Sequence, residues 1–468
     1  MAQNNDDLLV ALMNKINTIL NAGDDVAPAK KNSYVAWCRP GIPFQPEDLQ
    51  FAVKGISGKD GAETATLVRT AAEFSRVVND IPDTTAGSYE QNGKMAWDTY
   101  NKVLTQSQVP DADLTQAEKD KINKFRAMFV QTVIKKDIMT DADITVVEDS
   151  PLMKVYNTKK AAYDDASLEY NAKRLAALNA DTPLAVQDFT MNGSTYRSRV
   201  KNALADWATN GYKDDVDKMN AYISQVSQRS MTLLKADLLD KFNKGKLTDP
   251  SSGQDFWLSS FYPGNFVNNT KGWTKFTFSS KDKNTYAKDT QTATSAGASG
   301  SWGLWSAGAD GSKTKDTKTS SLDQSDFLME FSIAQVTIGR PWMSPDFLTT
   351  SAWRWKGTGD LLSNGADQPL GLLPAYATTA FFVKDIKITS SAVKEFNQQI
   401  NESMTAGGSV GWGPFKVKAS HSSSSNEVKS NVSEDGKTLT VEGMQLIAFR
   451  CTKLPVSPNP DPKTKNWV

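Results

Sequence analysis

The residues that could do chemistry are few, and their spacing narrows them further. His421 is the only histidine in 468 residues. It lies in the serine run Ser420-His-Ser-Ser-Ser-Ser-Asn426, a poor setting for a preorganised general base. One imidazole cannot build a histidine metal site. The two cysteines, Cys38 and Cys451, form no CxxC or Cys/His pattern, so neither zinc nor a disulfide framework is expected. They read as two buried free thiols.

Phosphate-cradling, dinucleotide-binding and HExxH patterns are absent, and no serine has a nucleophile-elbow context. Asp164-Asp165 and Asp214-Asp215 fall on helical segments. Adjacent helical positions diverge by about 100°, so these pairs describe solvated faces and not an acid/base couple. The reading is therefore non-enzymatic, with no cofactor and no metal.

Tryptophan and arginine carry the strongest binding signal. Eight of the 12 tryptophans crowd into the stretch from Trp257 to Trp412. Arg340-Pro-Trp342 and Trp353-Arg354-Trp355 set indoles beside guanidinium groups, the pairing that anchors many interfaces. Most of the eight are expected to fill a core. Trp353 and Trp355, spaced to share one strand face, are the leading candidates for a partner surface, with Arg354, Arg340 and Trp342 beside them.

The elements that would position these residues divide by composition. Leu8, Leu9, Leu12, Met13, Ile16, Ile19 and Leu20 recur at helical spacing and predict an opening helix that buries one face. Three prolines within Tyr34–Pro46 predict an extended connector over 33–47. From about 93 to 245 the pattern is helical. Thr115-Gln-Ala-Glu118 is a capping box whose helix would carry Ile122, Phe125, Met128, Phe129 and Val133. Ser150-Pro151 opens the next helix. A turn is expected at Asn192-Gly193, and a last helix runs to about Phe242.

After Lys244-Gly245 the apolar period changes to two, as in Phe327–Ile338, Ala380–Ile388 and Lys437–Phe449, which predicts antiparallel strands with one buried face. The fold class is thus α+β, segregated. An elongated helical bundle (1–250) precedes an antiparallel, sandwich-like β domain (251–453), and a proline-rich tail (454–468) is either disordered or docked.

The β half repeats itself. Trp302-Gly303-Leu-Trp305 matches Trp412-Gly413-Pro-Phe415, and the order strand, polar insert, Trp-Gly strand, polar insert, strand occurs twice, over 273–339 and 380–450. Glycine beside tryptophan lets a ring lie over backbone where strands bend. The second insert reads as an amphipathic helix through Val393, Phe396, Ile400 and Met404; the first, 281–298, reads as exposed and mobile.

Lysine plus arginine (53) balances aspartate plus glutamate (53), which argues against a nucleic-acid partner. Neutrality permits self-association. The start lacks a secretory pattern and no run of about 18 apolar residues occurs, so a cytoplasmic place is expected, with lysis or dedicated export as routes out. The functional expectation is self-assembly or partner binding, as a homo-oligomer or with another protein. A β-hairpin pore-former acting on membranes is the alternative, although 281–298 and 310–326 lack the required alternation. A carbohydrate-binding module is a third.

Overall fold

The computed structural model describes residues 7–21, 32–84, 88–89, 91–110, 115–136, 142–178, 183–268, 272–286, 303–308, 313–318, 320–322, 325–404, 408–419 and 428–468. Helices and antiparallel sheets share the chain, a mixed α+β fold.

The strands with the clearest two-residue period build the centre. Thr438–Lys453, Ala375–Thr389 and Leu328–Gly339 lie side by side, and Ser260–Tyr262 and Thr274–Ser279 continue the sheet beyond the last. Leu328–Gly339 shows how one strand serves two cores. Met329, Phe331 and Ile333 face one side in its first half, whereas Ala334, Val336 and Ile338 face the other in its second half. The cores therefore sit on opposite faces of the sheet and towards opposite ends of its strands.

The segment expected as a connector is the next strand of this sheet. Ser33–Phe44 pairs antiparallel with Thr438–Lys453, from Ser33 opposite Thr452 to Phe44 opposite Met444. Pro40 is accommodated because the ladder slips between Trp37 and Ile42, so Arg39-Pro40-Gly41 occupies an irregularity, whereas Pro43 keeps its place in register opposite Gln445. Gly41 is required there, since a Cβ would lie 2.3 Å from the Pro414 carbonyl oxygen.

One sheet face is covered by helices Gly61–Asn79, Ala96–Gln106 and Met231–Lys244, around Phe44, Phe74, Phe261 and Phe382. The opposite face carries helix Asp7–Asn21, helix Val393–Ser403 and a smaller sheet ordered Lys313–Lys318, Leu304–Ala307, Ser409–Trp412, Phe415–Ala419. Both cores draw on residues before and after position 250, so the change of composition does not separate them. The opening helix buries Leu8 to Met13 almost completely. Lys15 anchors it by donating to the Thr277 carbonyl at 2.8 Å and pairing with Asp282 at 3.2 Å.

The inserts after the matched strands both begin as helix. Val393–Ser403 docks through Val393, Phe396 and Ile400, as its pattern predicts. Ser280–Tyr286 is a short helix packed beside the opening helix, and the rest of that insert lies outside the described residues.

Residues 116–229 form an arm of different character. The capping box at Thr115 and Glu118 starts helix Gln116–Phe129, and Ser150 caps Pro151–Leu178 through the Met153 amide at 3.2 Å. That first helix stops four residues short of Val133. The β-branched stretches that follow form the hairpin Val130–Lys136 with Asp143–Asp149. The turn expected at Asn192-Gly193 is absent. Both residues lie inside helix Pro183–Asn210, where a Cβ added at Gly193 would meet the Phe189 ring at ordinary contact distance. Pro151–Leu178 and Pro183–Asn210 have 28 residues each. They are tied together by Lys159–Asp206, Lys173–Asp188 and Arg199–Glu169.

Cys38 and Cys451 are both free and buried. Cys451 faces Tyr34 across the ladder. Cys38 is four residues further along, a displacement of about 13 Å at strand rise, too far for a bridge. Thiol titration without reductant should therefore find two reactive groups in denaturant and none in the folded protein. A single disulfide-linked pair would contradict this register.

Candidate interaction surface

The aromatic cluster read from the sequence separates into buried and exposed members. Trp342 is 1% exposed and packs against Tyr100 and Phe242, each with ring centres 5.9 Å away. Trp353 is 0% exposed, stacked on Phe347 and set edge-on against Trp355 at 5.2 Å. Neither can form a surface. Strand Arg354–Trp355 is only two residues long, paired with Ser107–Gln108, and Trp353 precedes it. The alternation that would put Trp353 and Trp355 on one exposed face therefore does not extend to Trp353.

Arg340 is also structural. Its guanidinium donates to Asn79 Oδ1 and to the carbonyls of Ala377 and Val78, each at 2.6 Å. Burial pushes its pKa down to about 10, with Tyr376 beneath the guanidinium opposing the shift. Three neutral acceptors hold this cation and stitch the helix Gly61–Asn79 to the central sheet. Burial likewise pushes the Cys451 thiol up to about 12, so it is held as a neutral thiol.

Arg354 and Trp355 do reach the surface. Arg354 Nε donates to Gln108 Oε1 at 3.1 Å, and its guanidinium lies 4.9 Å from the Trp467 ring. Trp355 Nε1 donates to the Asp360 carbonyl at 2.8 Å, and the Gly359 backbone lies against its indole. The proline-rich segment that ends in Trp467-Val468 is thus docked. Val109 and Val468 exchange two backbone hydrogen bonds of 3.0 and 2.9 Å. Much of the exposed aromatic chemistry here is already used within the chain.

The Trp-Gly units make a packing device. Leu304–Ala307 pairs antiparallel with Ser409–Trp412, and the Gly413 amide donates to the Gly303 carbonyl at 3.0 Å. Trp305 Nε1 donates to the Gly413 carbonyl at 2.7 Å, and its ring lies on Gly411, where a Cβ would come within 2.1 Å. Phe415 and Trp412 are buried beside them. Trp302 and His421 lie outside the described residues. Among the described residues no group of three or more His, Cys, Asp or Glu is placed to hold a metal ion. Asp164 is engaged by Lys160 at 2.6 Å on the helix surface, and burial with the Asp164 charge raises its neighbour Asp165.

The surface that sequence patterning missed is on the arm. Of 17 large hydrophobic side chains exposed in the described structure, 12 fall between Met128 and Tyr212. The most exposed are Ile134 (73%), Leu184 (71%), Met191 (69%) and Val147 (63%). The arm does bury Ile122, Val200, Trp207, Val216, Met219 and Val226, and the exposed apolar residues lie outside that packing. Leu184, Val186 and Met191 do not repeat at three- or four-residue intervals. Leu184 and Met191 are nevertheless seven residues apart and share one face of this 28-residue helix, so their spacing reads as core-facing although the structure leaves both exposed.

No helix among the described residues is long and apolar enough to cross a membrane. The chain matches no family model, no curated protein and no solved structure.

Proposed function

We propose that this chain is a non-enzymatic protein that acts by self-assembly or by binding a protein partner, and that the arm, residues 116–229, makes the contact. The observation that carries the reading is the concentration of exposed apolar side chains there, 12 of 17 in the described structure. Scattered singly, exposed apolar residues are ordinary; concentrated in one part of the chain, they support an interaction site there. Burying one such side chain contributes about 1.5–3 kcal/mol, so several buried together are needed to offset the cost of association. The central sheet and its two cores serve in this reading as the base against which the arm is fixed, through Ala161 and Ala172, whose carbonyls accept from Tyr262 and Thr274, and through Leu175 in the second core.

The β half is, in the same reading, a sandwich-like body produced by duplication. Support comes from register. Thr277 faces Glu330 and Ser279 faces Leu328; 110 positions later, Lys387 faces Thr440 and Thr389 faces Thr438. The bond from the Ser280 amide to the Phe327 carbonyl recurs at the same shift, from Ser390 to Lys437. Chance similarity of two Trp-Gly pairs does not reproduce a pairing register.

The arm can be tested without disturbing the body. Ile134→Ser combined with Leu184→Ser and Met191→Ser alters three side chains that are at least 69% exposed, so folding stability should change by less than about 0.5 kcal/mol per site. Association measured by sedimentation velocity should weaken at least tenfold. An associating protein whose affinity is untouched by the triple variant would remove the arm from the contact.

A further inference from the structure

We infer that the arm's hairpin joins a second copy of this chain edge to edge, strand Val130–Lys136 of one copy lying antiparallel to the same strand of the other. This rests on the assembly reading above and names its partner. Three features of the hairpin lead to it.

The first is an incomplete sheet. Among the described residues Val130–Lys136 and Asp143–Asp149 pair only with each other, and a two-stranded ribbon is marginal alone. Its base is well fixed: Glu148 accepts from Gln131, Lys135 and Lys154, chiefly the lysines, which lower its pKa to about 2. The ribbon is therefore held out as an ordered template.

The second is the direction of its unused groups. The Ser150 amide donates to the Phe129 carbonyl at 3.0 Å, which makes that pair a hydrogen-bonded one. Alternation along the ladder then turns the amides of Val130, Thr132 and Ile134 outward on one edge, and those of Thr145, Val147 and Asp149 outward on the other. The same residues carry the exposed side chains of the ribbon's open face. An added strand would satisfy the outward amides and extend that face in one step.

The third is charge, which selects the edge. Pairing two copies through Asp143–Asp149 in a centred antiparallel register would set Asp143 opposite Asp149, twice, with both acids exposed. Strand Val130–Lys136 has no acid. Its Lys135 and Lys136 lie at one end, so antiparallel pairing sends the two lysine pairs to opposite ends of the new ribbon. Thr132 then faces Ile134 of the other copy, and Lys136 faces its Val130.

Geometry agrees. Strands in a sheet are about 4.8 Å apart, so placing one copy's first strand on the other's second would leave the two bodies at the same end and only about 10 Å apart. The antiparallel self-pairing puts them at opposite ends. Such a contact is two-fold and closed, giving a dimer and not a filament. Seven residues a side make it a small interface, in the range of transient association.

Proline substitution reads out each edge separately, because proline is tolerated on an edge strand where the amide faces outward. The full chain is compared with Thr132→Pro, Thr145→Pro and Ile134→Lys by light scattering over a concentration series, with thermal midpoints as the check on folding. The expected result is a mass rising towards twice 51.2 kDa for the parent and for Thr145→Pro. Thr132→Pro and Ile134→Lys should weaken dimerisation at least tenfold at unchanged midpoints. If the parent dimerises but Ile134→Lys and Thr132→Pro leave it intact, or if both prolines weaken it equally, the edge pairing is overturned and assembly through another part of the arm stands. A parent that stays monomeric overturns the edge pairing and self-assembly together, and leaves the arm only a different protein as its partner.

Discussion

Replacing Trp353 by alanine is expected to lower folding stability by about 3–5 kcal/mol and not to erase a binding surface selectively. The indole is 0% exposed and lies between the Phe347 and Trp355 rings. Truncation removes both ring contacts and leaves a cavity whose walls are tied elsewhere. The backbone around it is held by the Ser457 side chain, which donates to the Leu348 carbonyl, and by the pairing of Arg354–Trp355 with Ser107–Gln108. Relaxation into the space is therefore limited, which favours the upper part of the range. Trp355→Ala gives the contrast, because that ring is only partly buried. A chemical-denaturation series should show a large fall in midpoint for Trp353→Ala and a distinctly smaller one for Trp355→Ala. Equal, small changes would contradict the packing described.

The second large effect is expected from one added methyl group. Gly411→Ala would place a Cβ 2.1 Å from Trp305 Cζ2 and 2.4 Å from the Phe415 carbonyl oxygen. Neither neighbour can retreat cheaply. Trp305 is 1% exposed and fixed through its indole N–H on Gly413, while the Phe415 carbonyl belongs to the first residue of strand Phe415–Ala419, paired with Trp412. Overpacking of this kind costs about 1–3 kcal/mol in a core that can adjust, and at least the top of that range is expected here. Gly61→Ala is the matched control, since nothing lies within 4 Å of the Cβ it would add. Thermal unfolding should separate the two variants by many degrees; similar midpoints would mean that the Trp-Gly unit is not the rigid element described.

How much of this was legible in the sequence depended on how local the cause was. The opening helix, the capping box at Thr115 and Glu118 and the docked helix Val393–Ser403 each follow from spacing over a few turns. The long strands Leu328–Gly339 and Thr438–Lys453 follow from a two-residue period in the same way. Strand Ser33–Phe44 did not show itself, because the residues that argue against a strand, Arg39-Pro40-Gly41, fall where its ladder slips. That slip is set by Thr438–Lys453, about 400 residues away along the chain.

The arm's hairpin had a local signal that the surrounding helical pattern masked. Val130, Thr132, Val133 and Ile134 are β-branched, as are Ile144, Thr145, Val146 and Val147. The candidate surface was legible only in part. Arg354 and Trp355 are at the surface as their types suggest, but Trp353 and Trp342 are in the core. Residue type fixes what a side chain can do, whereas its burial is set by packing from distant segments. The exposed apolar residues of the arm carry the complementary lesson. Leu184 and Met191 look like core residues by type, yet the structure leaves both largely exposed.

The measurement that tests the central claim most directly is the solution mass of the full chain by light scattering, from well below to well above micromolar concentration. Assembly through the arm predicts a mass that rises with concentration above the 51.2 kDa of one chain. A mass fixed at one chain throughout would contradict self-assembly.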